Sequence, residues 1–147
     1  MKITCLWEET QSFDEFTLIA HPQNKREVLQ LEKALETIEP HIQVINPKNN
    51  RKLFLSLTKI EAIQSMAHLC QIFTKQGEQF LFQKRLKAVL EMNLPSLVQI
   101  NNSTILNLNQ VASFESGQNA RLEVHTKTNH HYVVSRHYAK LIKEKLL

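Results

Sequence analysis

Glycine is nearly missing from this chain: 147 residues contain two, Gly77 and Gly117. A dinucleotide-binding fingerprint, a phosphate-binding P-loop and a nucleophile elbow each need several glycines at close spacing, so all three are excluded. Aspartate is scarcer still, with Asp14 alone. A phosphoacceptor domain needs clustered acids around a reactive Asp, and none is present. Glu8 and Glu9 are adjacent, which on a strand would point them to opposite faces, and no Glu pair sits in an apolar setting that would raise its pKa. Two cysteines, Cys5 and Cys70, have no short spacing. They read as packed thiols in a reducing compartment, not as a disulfide framework or metal ligands. No apolar run approaches the ~20 residues of a membrane span. The start, MKITCLWEE, lacks the apolar length of a signal peptide. A cytoplasmic, soluble protein is expected, without cofactor and without small-molecule substrate.

What is present is a foldable composition, 42% hydrophobic and 22% charged, sufficient for a packed core. The net charge of +4 is unevenly spread. Residues 1–50 hold five Lys/Arg against eight Asp/Glu, and residues 51–147 hold thirteen against six. A basic C-terminal part fits either a polyanion or an ordinary solvated face.

In chain order, 2–7 (KITCLW) and 15–20 (EFTLIA) alternate as strands, joined by a turn through Thr10 to Asp14. His21-Pro22 stops the second. Asn24 then caps a helix, with Glu27 completing a capping box. Val28, Leu31, Leu35 and Ile38 share its apolar face, and Pro40 ends it. A short strand follows around 41–45, and Pro47 to Asn50 is the candidate linker. Residues 1–50 thus read as a small N-terminal strand–strand–helix unit for packing, dimerisation or regulation. From Lys52 the texture turns to short strands, near 52–57, 60–65, 69–75 and 78–82. A short helix over 83–92 is closed by Asn93-Leu94-Pro95. Strands resume at 97–100 and 110–115, then at 120–126 and 130–134 as a hairpin. Ser135 caps a last helix, whose inner face is expected to hold Tyr138, Leu141, Ile142 and Lys145. The fold class is α+β and mostly β.

Three features can carry chemistry. The polar island Asn101-Asn102-Ser103-Thr104 stands between apolar segments. It is either turn chemistry or a reading head, since Asn pairs bidentately with an adenine edge. His125, His130, His131 and His137 fall within thirteen residues, but their spacing matches no metal motif. They read as solvated or hairpin-paired, with a histidine-ligated metalloenzyme as the weakest alternative. Arg136 occupies the first turn of the last helix, where the helix dipole disfavours a cation. A phosphate at that helix N-terminus or a guanine edge would give it a use; the alternative is a surface Arg with no role.

Taken together, residues 53–147 resemble the LytTR DNA-binding domain of bacterial transcription regulators. The resemblance runs in the family's order through Gln79-Phe80-Leu81-Phe82, then the helix RLKAVLEMNLP. It continues through INNSTILNLNQVASF, by Ser103, Ile105, Leu106, Asn107 and Val111, and closes on YVVSRHYAKLIKEKL. It implies an elongated β domain, here residues 51–147, that binds double-stranded DNA across successive major grooves by loops. Base contacts would come from Asn102 and Arg136, with His68 in the 65–70 loop. Backbone contacts would come from Lys84, Arg85, Ser103, Asn107, Ser135, His137, Tyr138 and Lys140. Lys143 would add charge. The resemblance further implies a stand-alone regulator without a receiver domain, a homodimer, and control by a partner, often a membrane protein. A protein–protein adaptor using β edges is the alternative that the residues leave open.

Overall fold

The computed structural model describes residues 1–11, 16–36, 41–94 and 96–147. The chain divides into two compact units, Met1–Ile38 and Glu39–Leu147. The expected turn through Asp14, the helix-face position of Ile38, and the stops at Pro40 and Pro95 lie outside the described residues.

In the first unit, the segments 2–7 and 16–20 carry no strand, contrary to their alternation. A strand exists only where a neighbour takes its backbone bonds, and these segments have none among the described residues. The helix α1 is present (Lys25–Glu36), entered through a 3-10 turn over Pro22–Asn24. His21 supplies the cap in place of Asn24, its Nδ1 accepting from the Gln23 amide at 3.2 Å. The Asn24 amide donates to the His21 carbonyl at 2.8 Å and not to Glu27, so the expected capping box does not form.

The second unit holds two antiparallel sheets. Strands β1 (His41–Asn46), β2 (Arg51–Ser56), β3 (Ile60–Met66), β4 (Leu69–Thr74), β5 (Gln79–Phe82), β6 (Leu97–Asn101) and β7 (Thr104–Asn107) build a seven-stranded sheet. Their spatial order is β2-β1-β5-β4-β3-β7-β6. Strands β8 (Val111–Ser116), β9 (Leu122–Thr126) and β10 (His131–Val134) build a three-stranded sheet in the order β10-β9-β8. The strand at 41–46, grouped by sequence with the first fifty residues, pairs along its whole length with β2 and so belongs to the large sheet. Thr104–Asn107 is a strand where sequence showed only a dense apolar stretch, and it closes a hairpin with β6.

Side-chain alternation sorts the large sheet's two faces. Ile63 and Ile105 point into one core with Ile72, Phe80 and Phe82. That core is covered by α2 (Leu86–Leu90), through Leu86 and Val89. Ala62, Ile100 and Leu106 point the other way, onto Leu122, Val124 and Val134 of the small sheet and Ile142 of α3 (Arg136–Leu146). The inner face of α3 is Tyr138, Ala139, Ile142 and Leu146, a run of i, i+4 steps from 138 to 146. Leu141 and Lys145, expected there, are exposed. Among the described residues, no helix is long and apolar enough to cross a membrane.

One buried acid joins the sheets. The pairing of β3 with β4 shifts register between Ile60 and Ala62, and such an irregularity re-aims the residue within it. That residue is Glu61, fully buried. It accepts from Thr128 Oγ1, lies 2.7 Å from His130 Nδ1 and accepts from the Tyr132 hydroxyl at 3.2 Å. Burial pushes its carboxyl up, but the bonds from Thr128 and His130 outweigh this and leave it below the ordinary carboxylate value. The Tyr132 hydroxyl is pushed well up, by burial first and by the Glu61 charge second.

Candidate nucleic-acid interface

Antiparallel pairing decides which loops meet. Ser65 pairs with Cys70, Cys70 with Phe82, Gln64 with Thr104, and Asn101 with Thr104. The β3–β4 turn, the chain leaving β5 and the β6–β7 tip therefore lie at one end of the sheet. A further bond adds the β10–α3 junction: the Ser135 amide donates to the Ile100 carbonyl at 2.9 Å.

The β6–β7 tip is held from both sides. The Ser65 amide donates to the Ser103 carbonyl at 2.8 Å, which fixes it to β3. Asn101 Nδ2 donates to the Val133 carbonyl at 3.3 Å, which fixes it to β10. Inside the turn, Asn101 Oδ1 accepts from the Ser103 amide at 3.0 Å and from its hydroxyl at 3.1 Å, an Asx turn. Of the two adjacent asparagines, Asn101 is thus committed to structure, while Asn102 stands exposed. Local pattern did not tell them apart; the family resemblance singled out Asn102.

His68 is exposed in the tight β3–β4 turn. Its neighbour Ala67 is held at φ 56, a left-handed conformation that costs a non-glycine residue about 1–2 kcal/mol. His68 Nδ1 lies 2.8 Å from an Arg85 guanidinium nitrogen, so the turn and the start of α2 present one joint imidazole–guanidinium surface. Lys84 is exposed beside it.

Arg136 is the first residue of α3 and is exposed. It has no ion pair with any described residue, and the helix's first turn has no acid. Ser135 sits at the N-cap in extended conformation, but its hydroxyl caps nothing. Its carbonyl takes the Tyr138 and Ala139 amides, so those of Arg136 and His137 have no acceptor within the helix. His137 packs edge-on against Tyr138, with ring centroids 4.8 Å apart. Lys140 is exposed one turn on.

The four stretches at this end, 64–70, 82–87, 99–104 and 133–140, contain no Asp or Glu. They contain Lys84, Arg85, Lys87, Arg136 and Lys140. These stretches therefore gather positive charge around the amides and hydroxyls of the tip.

Two of the expected contact residues do not stand open here. Asn107 is 2% exposed. Its amide donates to the Ile60 carbonyl at 2.8 Å and accepts from the Asn109 amide at 3.0 Å, so both its polar ends are engaged inside the protein. Tyr138 packs partly buried on the second core. The other histidines lie elsewhere. His125 is 3.5 Å from Glu115 and His131 is 3.8 Å from Glu123, on the small sheet, and His130 belongs to the Glu61 cluster. Among the described residues, no three His, Cys, Asp or Glu side chains are grouped to hold a metal.

Residues 50–147 match the family model of the LytTr DNA-binding domain. A solved LytTr DNA-binding domain from Bacillus cereus superposes with a TM-score of 0.64 at 14% identity, covering 74% of this chain and 98% of that one. At that identity the likeness shows the fold. No curated protein matches the chain. With the family model spanning two thirds of its length, the chain belongs to the LytTr DNA-binding domain family.

Proposed function

We propose that the chain is a sequence-specific regulator of transcription that reads double-stranded DNA through loops entering successive major grooves. The observation carrying this reading is the convergence of Asn102, Arg136 and the His68–Arg85 pair at one acid-free end of the sheet. Asn102 has the donor and acceptor for an adenine edge, and Arg136 the fork for guanine. Lys84, Ser103, Ser135, His137 and Lys140, with the open amides of α3, would hold phosphates and set the register. His68 acts through Arg85: accepting from the guanidinium, it orients it, and so serves as much in positioning as in contact. Asn107 supports the fold and has no part in contact.

In the same reading the protein works in the cytoplasm as a homodimer, under control of a partner protein at the membrane. No reaction is assigned to it. The test is a mobility-shift and footprinting experiment on the upstream region of its own operon. A discrete footprint that Asn102→Ala and Arg136→Ala each erase is expected. Retention of that footprint by both variants would remove the reading.

A further inference from the structure

Apolar exposure in this protein is concentrated in one place. Of the exposed large hydrophobic side chains among the described residues, ten lie in Met1–Ile38 and five in the rest. The described residues of this unit contribute no buried hydrophobic. Ile3 is 76% exposed, and Trp7 and Ile19 are each 93% exposed. The ten side chains, from 37% exposed at Leu31 to 95% at Met1, leave on the order of 1,000 Å² of apolar surface, against the roughly 800 Å² each partner gives a standard interface. A unit this small cannot bury such a surface by itself, and monomers rarely expose one.

We propose that this surface is covered by a second copy of the same chain, through antiparallel pairing of residues 2–8 with their own counterpart across a two-fold axis at Cys5. The segment alternates, with Ile3, Cys5 and Trp7 on one face. Pairing centred on Cys5 sets Ile3 opposite the second copy's Trp7, and Cys5 opposite Cys5. It also sets Lys2 opposite Glu8, so the segment is complementary to itself in charge as well as shape. A shift of one residue would break both matches. The backbone groups of 2–8, which lack a ladder within the chain, gain one. A turn in which the Gln11 amide donates to the Glu8 carbonyl at 3.2 Å follows the segment, and Gln11 Nε2 donates to Thr17 Oγ1 at 3.1 Å. This tie brings 16–20, with Phe16, Leu18 and Ile19, beside the paired strands as further apolar cover. The apolar positions of α1, Leu31 and Leu35, are open to join it.

The inference names the surface of the homodimer in the preceding reading, and its test needs no DNA. Sedimentation equilibrium of the full chain at micromolar concentration should give a dimer. Ile3→Asp combined with Trp7→Asp should give a monomer, with the far-UV spectrum and unfolding midpoint of the β domain retained. Mild oxidation should link the wild-type dimer through the exposed Cys5, while Cys70 is buried. Cys5→Ser should stay dimeric and not be linked. A monomeric wild type, a dimer indifferent to the double substitution, or a dimer that Cys5 fails to link would overturn the proposal. Because DNA binding is scored separately, loss of either result leaves the other standing.

Discussion

Arg136 is a side chain placed against local preference. A cation in the first turn of a helix is opposed by the helix dipole, by about 0.3–1 kcal/mol, and no described acid compensates it. Arg136→Ala should therefore leave stability unchanged or slightly raised. In fluorescence anisotropy it should weaken the specific site by about 1–3 kcal/mol and leave weak, salt-sensitive binding to scrambled DNA. Glu61 is the opposite case, a residue whose work is internal. Glu61→Ala would strip Thr128 and Tyr132 of their acceptor, and urea denaturation should show a loss of about 1–3 kcal/mol. Its carboxyl titrates lower in the folded state than in the unfolded chain. The stability it contributes is thus full above the ordinary value of 4.5 and lost as pH falls through the folded value. The difference in unfolding free energy between wild type and Glu61→Gln should shrink on acidification through this range. A difference independent of pH would contradict the assignment.

At the scale of elements, the β6–β7 hairpin is held by ties within the protein. Asn101 binds the tip to itself and to β10, and the Ser65 amide binds it to β3. Asn101→Ala should keep the fold, since the residue is only half-buried, yet lower DNA affinity by freeing Asn102 from its fixed position. Amide exchange at Ser103 should quicken in the same variant; unchanged exchange together with lowered affinity would mean that Asn101 contacts DNA itself. The β3–β4 turn has a different lever. Ala67→Gly relieves the left-handed strain at φ 56 but frees the turn, so affinity should fall while stability holds or rises.

For the whole molecule, in the proposed reading, the distribution of charge governs the encounter with DNA. Five cations stand at the acid-free end. If each meets a phosphate, log affinity against log salt should be linear with a slope of roughly −4 to −5. Lys140→Ala should reduce that slope by about 1 while leaving the preference between sites intact. A flat response would show that charge is incidental to the protein's role.

Composition and periodicity determined the function classes available to this chain and most of its strands. Scarce glycine removed the nucleotide-binding loops, alternation marked the strands beyond residue 50, and the order of short motifs pointed to the family. Local pattern could not decide whether an alternating segment finds a neighbour: 2–7 and 41–46 look alike in sequence, and only the second is paired within the chain. Nor could it decide which asparagine of a pair faces outward, or that Asn107 lies inside. The Glu61 cluster was equally hidden, because its partners lie 67 to 71 positions along the chain. Hydrogen-bond partners and burial are properties of residues distant in sequence and close in space, and only the folded arrangement of the two sheets fixes them.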